Sequence, residues 1–276
     1  MPSPLSPSLT MNDGVKIPQL GLGVYKVPDL EATNVVVDAI GLGYRHIDTA
    51  AFYDNEVGVG RGIRESGAHR EDLFVATKVW HDRHGFDDTL ASFDESLDKL
   101  GLDYVDLYLI HWPAPAQDRY VDTWRALERL RTEGRARSIG VSNFKGHHLD
   151  RLARETATVP AVNQIELHPR LPQSATREYN RAHGILTEAW SPLARGTLLE
   201  EPTLVAVAAK HGKTVAQVVL RWQLDLGNVV IPKSVHHDRL ASNLEVFDFA
   251  LDGDDLATIA ALESGERTGK DPDLFF

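Results

Sequence analysis

The stretch Leu73-Phe74-Val75-Ala76-Thr77-Lys78 is an apolar run that ends in a cation. Further runs of this kind, each followed by polar or aromatic groups, are residues 46–48, 105–110, 139–141, 162–164, 185–190 and 229–231. A buried parallel strand is a continuous apolar run, and the carboxyl ends of all strands in a barrel converge on one mouth. The pattern therefore predicts that side chains far apart in sequence surround a single pocket.

Amphipathic segments lie between these runs. In residues 86–100, the side chains Leu90, Phe93, Leu97 and Leu100 recur at spacings of three and four, which is typical of a helix packed on a sheet. Further helices are predicted at 29–40, 55–66, 120–131, 147–154, 174–183, 202–211 and 238–247. Strands and helices thus alternate, with connections short enough for parallel crossovers.

The fold predicted from this alternation is α/β, a (β/α)₈ TIM barrel with an N-terminal β-hairpin and extra C-terminal helices. Residues 19–24 supply the eighth strand, Asn12-Asp13-Gly14 is the hairpin turn, and 214–226 and 254–262 are the extra helices. We expect one domain over residues 1–276, with 1–8 flexible and 263–276 a short C-terminal tail. An open doubly wound sheet is disfavoured because Gly21-Leu22-Gly23 lacks the third glycine of a dinucleotide-binding turn.

Composition excludes several classes of function. The chain has 276 residues and no cysteine, so it forms no disulfide, thiolate metal site or thiol nucleophile. A formal charge of −11 repels nucleic acid and anionic membranes, and we expect neither as a partner. The N-terminus does not resemble a signal peptide, and no apolar run approaches the roughly 20 residues of a membrane span, so we expect a cytoplasmic protein.

Four residues suggest chemistry. Asp48, Lys78 and His111 lie at or just past strand ends, and Tyr53 lies five residues after Asp48, on the loop at the same mouth. The reference pKa of tyrosine is about 10, and a nearby ammonium should lower it. A carboxylate would hold the ammonium, and an imidazole could hydrogen-bond a substrate carbonyl. Singly, these residues are more often packing tyrosines, structural ion pairs or core histidines. Together they predict a proton donor for a carbonyl that accepts hydride.

Three separated motifs resemble the signatures of the aldo-keto reductases. They are Gly43-Tyr44-Arg45-His46-Ile47-Asp48-Thr49-Ala50 with Tyr53, Glu56 and Gly60; Ile139-Gly140-Val141-Ser142-Asn143-Phe144; and Ile231-Pro232-Lys233-Ser234 with Arg239 and Asn243. The resemblance runs from the hairpin to Phe249 and is greatest to the bacterial 2,5-diketo-D-gluconate reductase group. It implies NADPH-dependent reduction of small aldehydes, ketones or dicarbonyls.

The resemblance also implies roles for individual residues. Tyr53 would be the general acid, Asp48 and Lys78 would tune it, and His111 would orient the carbonyl. The implied cofactor-binding residues are Ser142, Asn143, Gln164, Trp190, Ser191, Leu193, Lys233, Ser234, Val235, Arg239 and Asn243. Of these, Lys233, Ser234 and Arg239 suit the 2′-phosphate, since two cations and a hydroxyl match a dianion.

The small carbonyl substrate is expected to contact Tyr25, Trp80, His111 and Trp112, with Phe52 and Phe144 on the rim. A short tail suggests an open site, unless Phe275 or Phe276 folds over the mouth. Glu188 shares a strand face with Trp190 and is expected to point into the barrel.

No metal is expected, because His147-His148 and His236-His237 are adjacent pairs, and neighbours do not share a helix face. His81 and His84 are interpreted as loop residues. Relatives of this size suggest a monomer. Two other functions stay open: a Schiff-base aldolase acting through Lys78, and a cofactor-binding regulatory barrel.

Overall fold

The computed structural model describes residues 6–276, and a small antiparallel hairpin lies at the start of this part of the chain. Strand β1 (Ser8–Thr10) pairs with β2 (Lys16–Pro18), with Leu9 opposite Ile17. Met11 and Ile17 pack against side chains at the strand beginnings, such as Phe74, so the hairpin plugs the amino end of the barrel. Of the segment 1–8 that the sequence predicts to be flexible, 1–5 lie outside the described residues, and Ser8 lies in β1.

Parallel strands form the barrel, and within residues 6–276 eight of them are hydrogen-bonded in chain order. A bridge between Leu20 and Val230 joins the first edge to the last. The strands are β3 (Leu22–Gly23), β4 (His46–Asp48), β5 (Phe74–Val79), β6 (Val105–Ile110), β7 (Ala136–Ser142), β8 (Val162–Glu166), β9 (Leu186–Trp190) and β10 (Val229–Val230). The predicted (β/α)₈ barrel with an N-terminal hairpin is confirmed.

Helices lie between the strands, as the amphipathic pattern predicts. Those of the described chain are α1 (Asp29–Leu42), α2 (Glu56–Glu65), α3 (Phe86–Leu100), α4 (Tyr120–Thr132), α5 (Gly146–Glu155), α6 (Ser174–Ala182), α7 (Pro202–His211), α8 (Val215–Asp225), α9 (His237–Leu244) and α10 (Gly253–Ala260). Of the two extra helices, α8 precedes the last strand, whereas α10 follows α9. Over the residues described, no helix combines the length and apolarity needed to cross a bilayer.

Helix α3 shows how sequence pattern becomes packing. Its side chains Phe93, Leu97 and Leu100 are buried against the barrel, and it ends at Gly101, whose φ of +63° favours glycine. Helix α2 crosses its end so closely that a Cβ on Gly60 would lie 2.0 Å from the carbonyl oxygen of Leu100. Glycine is therefore required at this contact.

The strand register places the polar residues of the interior in neighbouring layers. Asp48 is opposite Ala76, Lys78 lies two residues further along β5, and Gln164 is directly opposite Glu188. Because inward-facing side chains of a barrel stack in layers, Asp48, Gln164 and Glu188 meet near the carboxyl ends of their strands.

Candidate active site

A cavity of about 1140 Å³ opens at the carboxyl ends of the strands. Its wall draws on each of the eight described barrel strands or the residues just beyond them, on loops after β9 and β10, and on the C-terminal segment. The cavity is large enough for a ligand bigger than a typical metabolite, since small-molecule sites usually measure about 300–1,000 Å³.

At its floor, the structure brings the predicted tetrad together. Lys78 is fully buried, and its Nζ donates to Asp48 Oδ1 at 2.6 Å and to the Thr49 carbonyl at 2.8 Å. The same Nζ lies 5.2 Å from the centroid of the Tyr53 ring. The Tyr53 and His111 rings meet edge to face with centroids 5.5 Å apart. A one-turn 3₁₀ helix, Ala51–Tyr53, positions the phenol at the mouth of β4.

The pKa of Tyr53 differs from the expectation. Burial raises the pKa of Tyr53 well above its ordinary value, and the negative charge of Asp48 adds to the rise. The predicted lowering of this pKa is therefore wrong for the protein alone, because burial of the phenol and the charge of Asp48 both raise it. Burial and the Lys78 ammonium lower the pKa of His111 well below its ordinary value, so the imidazole is neutral. The floor thus presents a neutral phenol beside a neutral imidazole.

Amide and hydroxyl groups line one end of the cavity above this floor. Asn143, in a left-handed conformation (φ 64°), donates from Nδ2 to the His111 carbonyl, and its Oδ1 accepts from Trp190 Nε1 at 2.9 Å. Ser142 Oγ donates to the Gln164 carbonyl at 2.8 Å. Gln164 Nε2 donates to Asp48 and Glu188 inside the barrel. Its Oε1 has no hydrogen-bond partner among residues 6–276. Trp190 stands over this end as a half-buried ring.

The opposite end is cationic. Lys233 and Arg239 are exposed and line the cavity together with buried Ser234 and Asn243. Ser191 and Leu193 line the stretch between the two ends. Lys26, Arg195 and Lys270 also line the cavity and were missed by sequence reasoning because no motif points to them. An elongated ligand with an amide at one end and an anionic group at the other fits this donor set.

Aromatic rings form the wall near the tetrad. Tyr25, Phe52, Trp80 and Trp112 all line the cavity, and Phe52 stacks on Trp80 with centroids 3.9 Å apart. Phe275 also lines it and packs against Trp112 at 4.6 Å. The tail therefore lies at the mouth, and the site is not the open one that a short tail suggested. Such walls favour small or partly apolar ligands.

Glu166 anchors this tail. Its buried carboxylate accepts from the Thr268 amide and hydroxyl, both at 2.6 Å, and from the Gly269 amide. His168 Nε2 lies 3.2 Å away on the same carboxylate. A Cβ on Gly269 would lie 2.5 Å from the Trp190 ring, so the anchored segment packs directly on that indole. Further along, the Phe276 carbonyl accepts from the Ala116 amide.

Two predicted site residues lie elsewhere. Phe144 is buried in the core against Tyr120 and His148, because the left-handed turn at Asn143 directs the next side chain away from the cavity. Val235 is half-buried and packs on the hydrophobic core, and among the described residues it is not part of the cavity wall.

The adjacent histidines of helix α5 differ from expectation. His147 and His148 both reach Asp273, with Nε2 atoms 3.1 and 3.5 Å from Oδ1, although they are adjacent in sequence. The Nδ1 of His148 accepts from the Lys145 amide, which places the proton of the neutral ring on Nε2. Lys145 Nζ bonds Asp273 as well, at 2.6 Å. The cluster is therefore an ion-pair contact to the tail and lacks a free nitrogen lone pair on His148 for a metal.

The aldolase alternative conflicts with the position of Lys78. Its amine is fully buried, bonded to Asp48 and Thr49, and within the described structure it does not reach the cavity wall. A Schiff base requires a neutral, accessible amine.

The chain is similar to known proteins over nearly its whole length. The sequence profile described as the aldo/keto reductase family matches residues 19–264. An aldo-keto reductase of Mycolicibacterium smegmatis is 55% identical over 271 residues, which are 98% of each chain. The glyoxal reductase of Bacillus subtilis is 52% identical over 274 residues, 99% of each chain.

A solved structure is also similar. The crystal structure of a mutant of Gox0644 in complex with NADPH superposes with a TM-score of 0.94 at 46% identity, and covers 98% of this chain and 99% of that chain.

Proposed function

Because this chain belongs to the aldo/keto reductase family, we propose that it reduces small aldehydes, ketones and dicarbonyls to alcohols, with Tyr53 as the general acid. It is an oxidoreductase that uses NADP(H). The bacterial 2,5-diketo-D-gluconate reductase group stays a prediction within that family. The observation that carries the proposal is the meeting of the phenol of Tyr53, the neutral imidazole of His111 and the buried Lys78–Asp48 pair at the floor of one large cavity.

The two ends of the cavity fit the two ends of the cofactor. Gln164 Oε1 and the Ser142–Asn143 pair suit a carboxamide, and Trp190 offers a ring for stacking on the nicotinamide. Lys233, Ser234 and Arg239 suit the 2′-phosphate. Bound NADPH supplies the hydride for the reduction.

The residues at the floor then handle the proton. As the carbonyl carbon gains two electrons, its oxygen becomes basic and takes the proton of the Tyr53 hydroxyl. The neutral imidazole of His111 can donate a hydrogen bond to the same oxygen without competing as an acid. Lys78 lies close enough to the ring to stabilise the resulting phenolate, and Asp48 keeps that ammonium in place.

The wall favours compact carbonyl substrates. Trp80, Trp112 and Phe275 enclose the space beside Tyr53 and His111. A glyoxal reductase is among the similar proteins, and small dicarbonyls match both this size and the electrophilicity that hydride transfer needs. Glyoxal and related 2-oxoaldehydes are therefore the substrates we propose to test first.

The test is NADPH oxidation in the presence of a panel of carbonyl compounds, with wild-type protein and the Tyr53→Phe variant. Removal of the hydroxyl should lower kcat by about 10²–10⁴-fold, the usual contribution of general acid catalysis. Tyr179→Phe is the control, since it removes a hydroxyl that bonds Asp150 on the surface. Equal rates for Tyr53→Phe and wild type would refute the assignment of the acid.

A further inference from the structure

A buried pair of residues below the cavity is left without hydrogen-bond partners at facing atoms. Glu188 and His46 have no exposed surface. Glu188 Oε1 lies 3.6 Å from His46 Nε2, and neither atom has a hydrogen-bond partner among residues 6–276. His46 is held in place by Gly21, where a Cβ would lie 2.6 Å from Nδ1, and by the edge of Phe74. Buried polar atoms this close without a partner require an explanation.

The other oxygen of Glu188 belongs to the active-site floor. Gln164 Nε2 donates to Glu188 Oε2 at 2.8 Å and to Asp48 Oδ2 at 2.9 Å. One amide group therefore bridges two carboxyl groups in the dry interior. Lys78, whose positive charge acts on Glu188, is already bonded to Asp48. Two ionised carboxylates beside one ammonium would leave an uncompensated buried charge, which is costly.

We propose that Glu188 is a positioning residue that carries a buried proton on Oε1, directed at His46 Nε2. Its Oε2 is then purely an acceptor and holds the Gln164 amide with both hydrogens turned inward and Oε1 facing the cavity. This inference rests on the proposed function, because it gives the Gln164 oxygen the task of receiving the cofactor carboxamide. A single proton accounts for the two facing atoms. The third unpartnered atom of the pair, His46 Nδ1, then carries the ring's own hydrogen, next to the backbone of Pro18.

The surroundings agree with this placement. Burial and the negative charge of Asp48 raise the pKa of Glu188 to about 8, against the opposing effects of Gln164 and Lys78. Burial lowers the pKa of His46 to about 4. At neutral pH the proton therefore belongs to Glu188, and the ring of His46 accepts. On the neighbouring strand β10, the residue opposite Glu188 is the apolar Val229. The titratable groups that act on Glu188 or meet it include Asp48, Lys78, His46 and Tyr53.

The proton has a consequence for the reaction. As pH rises through about 8, Glu188 ionises and adds a second negative charge to the layer that contains Asp48. Negative charge on Glu188 raises the pKa of Tyr53 and opposes the phenolate that forms when the proton leaves. Carbonyl reduction should therefore fall above about pH 8, by about tenfold per pH unit at most.

The Glu188→Gln variant separates this role from a merely structural one. Its amide carbonyl can accept from Gln164 and its NH₂ can donate to His46, so it copies the protonated glutamate at every pH. The test is the rate of NADPH-dependent reduction of a 2-oxoaldehyde from about pH 6 to about pH 10. Titration of Glu188 would appear as a falling alkaline limb of the pH–rate profile. The rate of the variant, relative to its own value at about pH 6, should stay level as pH rises through about 8, whereas that of wild type falls. An unchanged alkaline fall in Glu188→Gln would overturn the proposal.

Glu56→Gln is the matched control. Glu56 is a second buried glutamate with a raised pKa, caused first by burial, but it bonds Thr77 and lies outside the cavity wall. This control should keep the wild-type pH profile. Loss of the alkaline fall in Glu56→Gln would instead assign the titration to Glu56 and overturn the proposal.

A second measurement does not depend on turnover. Infrared difference spectra of the wild-type protein without cofactor, taken across the same pH range, should contain a protonated carboxyl band that Glu188→Gln removes. Its absence would overturn the proposal even if the enzyme is active. If the band is present but wild type reduces no carbonyl compound, the proposed function fails while the buried proton stands.

Discussion

The anchor at Glu166 gives a prediction whose size follows from the hydrogen bonds. In Glu166→Gln one carboxylate oxygen becomes an NH₂ group, which must face either the Gly269 amide or the Thr268 and His168 donors. The first orientation costs less free energy. It loses only the bond from the Gly269 amide and places the new NH₂ group against that one N–H. The Thr268 bonds also lose their charge assistance, which is worth about 1 kcal/mol each. The tail should therefore be held less tightly by about 3 kcal/mol in total.

Hydrogen exchange read by mass spectrometry reports this change. Local opening of residues 268–276 should become about 100-fold more frequent, because 1.4 kcal/mol corresponds to a factor of ten. The KM for a carbonyl substrate should rise with it, since Phe275 would leave the cavity wall. Exchange in the tail that matches wild type would refute the reasoning.

The pH dependence of the anchor supplies its internal control. Burial alone would raise the pKa of Glu166, but hydrogen bonds from His168, Thr268 and Gly269 outweigh it and the pKa is lowered. A carboxyl with a lowered pKa stabilises the folded state above its unfolded value, and this contribution is lost as pH falls through the folded pKa. Protection of the wild-type tail, corrected for intrinsic exchange, should therefore decrease in acid. That of Glu166→Gln should be less sensitive to acid.

Two further outcomes follow from the cavity and the helix contacts. Arg239→Ala should weaken NADPH binding by at least about tenfold, the loss of one charged hydrogen bond, and weaken NADH binding far less. Calorimetric titration of both cofactors tests this, and equal losses would contradict the phosphate assignment. Gly60→Ala should destabilise the protein by about 2 kcal/mol or more, because its Cβ would meet the Leu100 carbonyl at 2.0 Å. Gly41→Ala, at an open helix position, should instead stabilise it by about 0.5–1 kcal/mol. Urea unfolding compares the two, and similar effects would rule out the close contact.

The fold was predictable because the apolar periodicity of the sequence is clearest in the elements whose side chains are most buried. Helix 86–100 was predicted to the residue, since its apolar stripe and the glycine that follows it mark both packing and end. The first strand was predicted as 19–24 and is Leu22–Gly23. Its partners lie at the closing seam, where Val229–Val230 is equally short, and a sequence pattern contains no information on how the seam pairs.

The site was predictable where residues follow strands and less so where contacts are distant. Lys78 lies near the carboxyl end of β5, His111 directly follows β6, and Tyr53 follows β4 on a short helical turn. Barrel geometry brings these positions together. The anchor of Thr268 and Gly269 on Glu166 joins residues 102 and 103 positions apart, in a segment without periodicity or motif. The predicted pKa of Tyr53 was wrong because the sequence shows the ammonium of Lys78 as a neighbour but does not show how deeply the phenol is buried.

The seam between Leu20 and Val230 also affects how the protein is made. Hydrogen bonds that close the cylinder flank the bridge between Leu20 and Val230, which are 210 positions apart. They run from the Gly21 amide to the Val230 carbonyl and from the Val230 amide to the Gln19 carbonyl. A nascent chain cannot form them until most of the polypeptide has been synthesised. Until then the first parallel strand has one unpaired edge, which is a template for association with other chains. The barrel should therefore acquire its final form slowly and late, and early intermediates are the species that a chaperone would shield.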